Sequence, residues 1–459
     1  MKIVILGAGQ VGGTLAQNLA GEGNDVTVVD VDARLLQEMR DRLDLRTVQG
    51  NATHPEVLKR AALGDADMLI AVTSSDEANM VACQIAYTLF STPSRIARVR
   101  SQEYLLYGSQ LFSDEAIPVT ALISPENLVT EYVQRLIEHP GALQVLDFAG
   151  GRVRLVGVRA NFGSPLVGHE LSTLREHMHG DTARVAAIFR GGKGIIPEGD
   201  TVVAPNDEVF FVAGREDIRA VIAELRRLEK PVKRIILAGG GNIGLRLAKN
   251  MEERYQLKII ECSEQRTRQL SAELDRTIVL NGDAADENLL IEENIDNTDV
   301  FCALTNDDEA NILSAMLAKR LGARMVMALI NRPAYVDLIE GGQEIDVAIS
   351  PQQATIGTML AHVRHADMVK VHSLRRGAAE AIEAVAHGTA ANSRVIGRRV
   401  EQIRLPDGAS IGCIVRGDAV LMAHHDTVIE SEDHIILFLV DKRRIREVER
   451  LFAVGITFV

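Results

Sequence analysis

Apolar and polar positions alternate along this chain in blocks that repeat. A short apolar run, Ile3-Val4-Ile5-Leu6, leads into Gly7-Ala8-Gly9-Gln10-Val11-Gly12. Val11, Leu15 and Leu19 then recur at the spacing of one helix face. A β-branched run, Val26-Thr27-Val28-Val29, ends in Asp30. Strand, glycine turn, helix, strand and acid in this order predict a dinucleotide-binding βαβ unit. Gly7 permits the tight turn, Gly9 lets the backbone approach a pyrophosphate, and Gly12 lets the helix pack on the strand. Ala8, Gln10 and Val11 complete the turn, where the helix N-terminus offers free N–H groups and a positive dipole end. Asp30 can accept hydrogen bonds from both ribose hydroxyls and would repel a 2′-phosphate, which favours NAD(H) or an adenosine nucleotide over NADP.

The same block returns. Val232 to Glu261 carries Gly239-Gly240-Gly241-Asn242-Ile243-Gly244 and ends in an acid, Glu261. Gly239 lies 232 residues after Gly7, and the offset persists: Thr73-Ser74-Ser75-Asp76-Glu77-Ala78-Asn79 aligns with Thr305-Asn306-Asp307-Asp308-Glu309-Ala310-Asn311. Gly50-Asn51-Ala52 aligns likewise with Gly282-Asp283-Ala284. The chain is one unit duplicated. Asn51 and Ala52, at the end of a third strand, would edge the adenine, as would Asp283 and Ala284; Thr73 and Thr305 close a buried fourth strand. Ser74 or Ser75 caps the next helix, whose acidic first turn, Asp76-Glu77, reads most simply as dipole complementation.

A fifth strand, Arg95 to Arg100, places Arg98 and Arg100 on one face near its C-terminal end, where open α/β sheets bind ligands. Arginine forks suit phosphate, although two solvated arginines on an edge strand fit the pattern too. Leu329 and Asn331 take their places in the second half. The first site should therefore prefer more phosphate charge (ATP, ADP or NADH), and the second should be satisfied by NAD(H). Ser124-Pro125 and Ser350-Pro351 open helices with broad apolar stripes, suited to another subunit, the other half or their own sheet. After each helix the texture changes to a small α+β domain of about 85 residues. Strands at Val153–Val158 and Val209–Val212, a hairpin around Gly199 to Asp207, and a closing helix from Asp217 to Leu228 are expected in the first copy; Asp433, Ile435–Phe438 and a helix from Lys442 to Phe452 belong to the second. The expected parts are 1–140, 141–230, 231–366 and 367–459: an α/β chain of two Rossmann-like domains, each followed by a small α+β domain.

Composition narrows the function. The 459 residues are 46% hydrophobic and 25% charged, ordinary for a globular protein, and the net charge of −13 argues against nucleic acid. Cys83, Cys262, Cys302 and Cys413 form no CxxC pair, which fits a reducing compartment. The apolar start at Ile3 is too short for a signal segment, and no run approaches a membrane span. His177-Met178-His179 and His424-His425-Asp426 lack a third ligand at convincing spacing, so no metal is expected, and His362 and His365, one turn apart on a helix, read as a surface or interface pair.

The paired GxGxxG turns with trailing acids, the G-[ND]-A turns, the TxxDEAN loops and the small β-rich domains resemble the RCK (KTN) family. The tandem doubling over the whole chain is similar to the cytoplasmic subunits of bacterial Trk potassium uptake systems. That resemblance implies NAD/NADH and ATP/ADP as ligands and no catalytic residue. It implies a homo-oligomeric ring, a tetramer of the doubled chain, peripheral on the cytoplasmic face of the inner membrane beneath a Trk-type potassium-translocating subunit. The alternatives are an NAD-dependent dehydrogenase or a soluble nucleotide sensor with another partner; a dehydrogenase would need an acid–base constellation beside the nicotinamide, and the small domains do not supply a His–Asp or Lys constellation twice.

Overall fold

The computed structural model describes residues 1–174, 182–225, 230–339, 344–363, 368–374 and 378–453. The cluster His177-Met178-His179, the end of the helix expected to reach Leu228, His365 and the expected boundary at 366–367 lie outside the described residues.

The first repeat folds as β1 (Lys2–Leu6), α1 (Gln10–Gly21), β2 (Asp25–Asp30), α2 (Ala33–Arg42), β3 (Arg46–Gln49), α3 (Pro55–Arg60), β4 (Met68–Ala71), α4 (Asp76–Phe90), β5 (Ser94–Arg98), α5 (Gln102–Leu106), α6 (Gly108–Leu111), β6 (Ala121–Ile123) and α7 (Pro125–Glu138). Its strands form a parallel sheet in the order β3-β2-β1-β4-β5-β6. All four residues of β4 are buried, as a strand covered by helices on both faces requires. The order reverses between β1 and β4, and the crevice beyond the carboxyl ends there is where doubly wound sheets take ligands. The glycine turn after β1 and the Thr73 loop after β4 both reach it.

A small antiparallel domain follows: β7 (Ala142–Phe148), β8 (Val153–Arg159), β9 (Ala183–Arg190), β10 (Lys193–Ile195), β11 (Glu208–Gly214) and α8 (Ile218–Leu225), with strand order β10-β9-β11-β8-β7. Strands β8 and β11 contain the two expected from sequence. Strands β7, β9 and β10 lie outside the expected set, and the hairpin expected around Gly199 to Asp207 is instead two turns with isolated bridges, the hairpin present being β9–β10. A register shift at Ala142/Gln144 breaks the two-residue alternation that would mark β7.

The second repeat reproduces both parts. Its Rossmann sheet is β14-β13-β12-β15-β16-β17, from β12 (Arg234–Ala238), α9 (Asn242–Met251), β13 (Gln256–Glu261), α10 (Glu264–Glu273), β14 (Ile278–Asn281), α11 (Glu287–Glu292), β15 (Val300–Ala303), α12 (Asp308–Arg320), β16 (Met325–Leu329), α13 (Pro333–Ile339), β17 (Val347–Ile349) and α14 (Pro351–Val363). Its small domain holds β18 (Met368–Leu374), β19 (Ala379–Val385), β20 (Ala409–Arg416), β21 (Ala419–Met422), β22 (His434–Leu439) and α15 (Ile445–Phe452). The strand order is β18-β19-β22-β20-β21, the first small sheet over again. Each small domain is pinned by one buried aspartate. Asp207 accepts from Arg190 Nε at 2.9 Å and Ala204 N at 2.8 Å; Asp433 accepts from Arg416 Nε and Glu430 N, both at 2.8 Å.

The chain divides into two units, Met1–Leu128 with Gln352–Arg364, and Val129–Pro351 with His365–Val459. The apolar helices explain the division. In the first unit, Ile356, Met359, Leu360 and Val363 of α14 join Leu15, Leu19, Val26 and Ile70 of the first Rossmann domain in one core. Gln352 Nε2 donates to Gln10 O at 2.9 Å. In the second unit, Val129, Val133, Leu136 and Ile137 of α7 join Leu237, Leu247 and Ile259 of the second Rossmann domain. Of the three partners open to these stripes, the other half is the one found. Within the second unit the small sheets also share a core, with Phe148, Phe189 and Phe210 against Leu374, Ile436 and Phe438.

Candidate functional site

Each glycine of the first turn does a separable job. Gly7 has φ +106°, and a Cβ there would stand 3.0 Å from Val72 O. A Cβ on Gly12 would stand 1.9 Å from Gly7 O, so helix α1 can leave the turn only if position 12 is bare. A Cβ on Gly9 would meet nothing within 4 Å. Position 9 therefore faces open space at the start of α1, a helix with no side-chain cap and no acid in its first turn. The second turn repeats this: Gly239 at φ +105°, Gly244 with a Cβ position 2.1 Å from Gly239 O, and Gly241 with nothing within 4 Å. An uncapped helix N-terminus beside a glycine that faces open space fits a pyrophosphate.

The acids close the turns from the side. Asp30 Oδ2 accepts from Ala8 N at 2.6 Å, and Glu261 Oε2 accepts from Gly240 N at 2.9 Å. Gly50 N donates to Asp30 O at 2.9 Å and Gly282 N to Glu261 O at 3.0 Å, which brings the G-[ND]-A turns beside the acids. Asn51 Oδ1 is spent on Thr53 N at 2.9 Å and Asp283 Oδ1 on Ala285 N at 2.9 Å. Both side chains order their own turns, and Ala52 is buried beside its turn. Gln10, Val11, Asn242 and Ile243 form the first turns of their helices, and Ala284 packs on the second Rossmann core.

Across the crevice, Thr73 and Thr305 are each held by the asparagine that ends their TxxDEAN loop. Asn79 Oδ1 accepts from Thr73 N at 2.9 Å and Thr73 Oγ1 at 2.7 Å, and its Nδ2 donates to Arg98 O at 2.9 Å. Asn311 does the same for Thr305 and Leu329 O, at 2.9, 2.6 and 2.8 Å. Both asparagines are fully buried. Asp76 is more than a dipole partner: its Oδ2 accepts from Arg100 N and Ser101 N, each at 2.8 Å, as Asp308 accepts from Asn331 N and Arg332 N. The signal was the repeated TxxDEAN itself. Ser75 caps α4, accepting from Ala78 N at 3.1 Å.

The arginines differ between halves. Strand β5 ends at Arg98, so Arg100 lies just beyond it, yet both guanidinium groups converge on the Thr73 loop. Arg98 Nη2 donates to Thr73 O at 2.7 Å, and Arg100 Nη2 bonds Ser74 O. Burial, with Arg100 nearby, pulls the Arg98 pKa down, and its Nε is buried without a hydrogen-bond partner among the described residues. A partly desolvated cation with a spare donor fits phosphate. The second half has a cation here as well, one position further on. Arg332, however, is held by both Glu309 carboxylate oxygens, at 2.8 and 2.7 Å.

The TrkA-N domain model matches residues 3–125 and 235–351, and the TrkA-C domain model matches 155–226 and 389–453. The chain belongs to the TrkA family. The Trk system potassium uptake protein TrkA of Halomonas elongata is 62% identical over 458 residues, covering 100% of both chains. The protein of that name from Vibrio alginolyticus is 61% identical over 452 residues, covering 98% of each. These TrkA relatives carry the name of a transport protein and not of an enzyme. The crystal structure of the GsuK RCK domain shares the fold with a TM-score of 0.60 at 17% identity, covering 98% of this chain and 94% of that one. A GsuK channel bound to NAD matches with a TM-score of 0.60 at 18% identity, covering 98% and 78%. The RCK architecture expected from the motifs is therefore the architecture present. Among the described residues no helix is long and apolar enough to cross a membrane.

Proposed function

We propose that this chain is the regulatory subunit of a Trk-type potassium uptake system and that its two glycine turns bind NAD(H) and adenosine nucleotides. In this reading the chain has four parts, 1–140, 141–230, 231–366 and 367–459. One observation carries the nucleotide reading. In both halves a helix N-terminus without a side-chain cap adjoins a glycine facing open space, next to an acid already bonded to the turn. The names of the TrkA relatives support potassium uptake, and the NAD-bound GsuK channel, which shares the fold, is consistent with the ligand.

The pocket residues are those named from sequence. Gly7 to Gly12 and Gly239 to Gly244 cradle the pyrophosphate, Asp30 and Glu261 take the ribose, and Asn51, Ala52, Asp283 and Ala284 edge the adenine. Thr73 and Thr305 face the phosphates, joined in the first half by Arg98 and Arg100. Nucleotides act by binding one conformation of a cytoplasmic homotetrameric ring better than another, and the ring passes that preference to the membrane-embedded translocating subunit. The first pocket prefers ATP, ADP or NADH because it alone has two arginines turned to the phosphates. Calorimetric titration of the full chain with ATP, ADP, NAD and NADH tests this. Arg98→Ala/Arg100→Ala should weaken ATP at the first pocket by about tenfold or more while sparing the second. Unchanged ATP affinity would remove the arginines from the site. Potassium flux through the reconstituted complex that ignores all four nucleotides would remove the regulatory role.

A further inference from the structure

The ribose ends of the two pockets are built from different charges. In the first half two carboxylates follow β2. Asp30 holds the turn, and Asp32 caps α2 by accepting from Arg34 N at 2.8 Å and Leu35 N at 3.4 Å. Leu35 packs on the apolar core below. In the second half Ser263 replaces the capping aspartate, accepting from Arg266 N at 3.3 Å. Arg266 lies as far after Glu261 as Leu35 lies after Asp30, so a cation replaces an apolar side chain. It folds back over the turn, and its Nε donates to Gly240 O at 2.8 Å, while Gly240 N donates to Glu261 Oε2. One residue of the turn thus carries a carboxylate on its N–H and a guanidinium on its carbonyl. Arg266 Nη1 is 3.2 Å from Gln269 Oε1, and Nη2 has no hydrogen-bond partner among the described residues.

We propose that Arg266 lets the second pocket accept a 2′-phosphorylated adenosine, so that NADPH binds there while the first pocket rejects it. The inference rests on reading both turns as nucleotide pockets. A 2′-phosphate at the first ribose end would face Asp30 and Asp32, where among the described residues no guanidinium is bound to the glycine turn and the nearby Arg60 Nη2 is spent on Gln49 O at 3.0 Å. At the second it would face Glu261, with Asp283 in the turn alongside, and a guanidinium held against the glycine turn and able to give charge-assisted hydrogen bonds, the means by which Rossmann sites accommodate that group.

The test is calorimetry on the full chain with NADH and NADPH. Gly9→Glu and Gly241→Glu silence one pocket at a time, since a Cβ at either position meets nothing within 4 Å and the added carboxylate repels pyrophosphate. With Gly9→Glu, NADPH should bind the second pocket within about tenfold of NADH; with Gly241→Glu, NADPH at the first should be weaker by about a hundredfold. Arg266→Leu and Arg266→Gln should each widen the second pocket's NADPH-to-NADH ratio by about tenfold and move NADH itself less than about threefold. Equal discrimination in the two pockets would overturn the proposal, as would Arg266 substitutions that weaken both ligands alike. If neither single-pocket protein binds NADH, the nucleotide reading falls and this inference with it, a result distinct from selective loss of NADPH.

Discussion

The two Rossmann domains match where backbone must come close and diverge where charge is placed. The Cβ positions of Gly12 and Gly244 fall 1.9 and 2.1 Å from the same carbonyl of their turns, and Gly9 and Gly241 face equally open space. Around these turns, Arg98 and Arg100 give way to Leu329 and Asn331, and Leu35 gives way to Arg266. Steric demands on a turn admit few residues, whereas surface charge can change at little cost to folding. Duplication has kept the cradle and varied what surrounds it.

The strongest test of that likeness is at the glycines. Gly12→Ala and Gly244→Ala each force a methyl group into a carbonyl oxygen and should cost about 3 kcal/mol or more. Gly9→Ala and Gly241→Ala should stay within about 0.5 kcal/mol of the parent, since their methyl groups meet nothing. Native-state hydrogen exchange of β1 and β12 reads the two halves separately. A large loss in one half only would show that the turns are not equivalent.

Next in size are the buried asparagines. Asn79→Ala and Asn311→Ala strand the N–H of a threonine and the carbonyl ending β5 or β16, and each should cost about 2 kcal/mol by the same measurement. A negligible effect in either half would mean that the crevice holds its shape without this bridge.

These asparagines also mark how far the sequence could be read. The Rossmann fold was legible because its strands are continuous apolar runs, and the cradle because GxGxxG with a trailing acid has a local backbone cause. The jobs of Asp76 and Asn79 were not legible: both reach the end of β5, about twenty residues away in sequence and set beside them only by the parallel pairing of β4 and β5. The apolar stripes of α7 and α14 announced burial without naming the partner, since a stripe records only that a face is covered. Arg332 escaped notice because aligning β5 with β16 compares positions one residue away from it.

Glu309 sharpens the contrast in charge. It holds Arg332 through both carboxylate oxygens, while its counterpart Glu77 bonds Ser75 Oγ at 2.7 Å and Tyr104. Glu309→Gln should release Nη2 of Arg332, leaving Nε beside Asp308 and Nη1 on Tyr335 Oη, and tighten ATP at the second pocket by about threefold to tenfold. Glu77→Gln should change ATP binding at the first by less than about twofold, since no arginine is released. Equal responses in a calorimetric titration would mean that the ion pair does not set the difference between the pockets.

The smallest expected effect lies in the small domains, where Leu146 of β7 corresponds to His372 of β18. The imidazole sits edge-on to Phe148, ring centroids 5.1 Å apart, with Nε2 buried and unpartnered among the described residues. Burial, reinforced by the Lys370 and Arg135 cations, lowers its pKa to about 4. An unfolded histidine titrates near 6.5, so the unfolded chain takes up this proton first as the pH falls. The stability contribution of neutral His372 is therefore complete above about pH 6.5 and drains away toward about pH 4. His139, also lowered by burial and by Arg154, adds to the same slope in every variant that keeps it. His372→Leu, which installs the first domain's residue, should flatten the pH dependence of β18 exchange between those limits and leave it unchanged at pH 8. Parallel slopes in parent and variant would show that the buried ring exchanges its proton with water as freely in the fold as out of it.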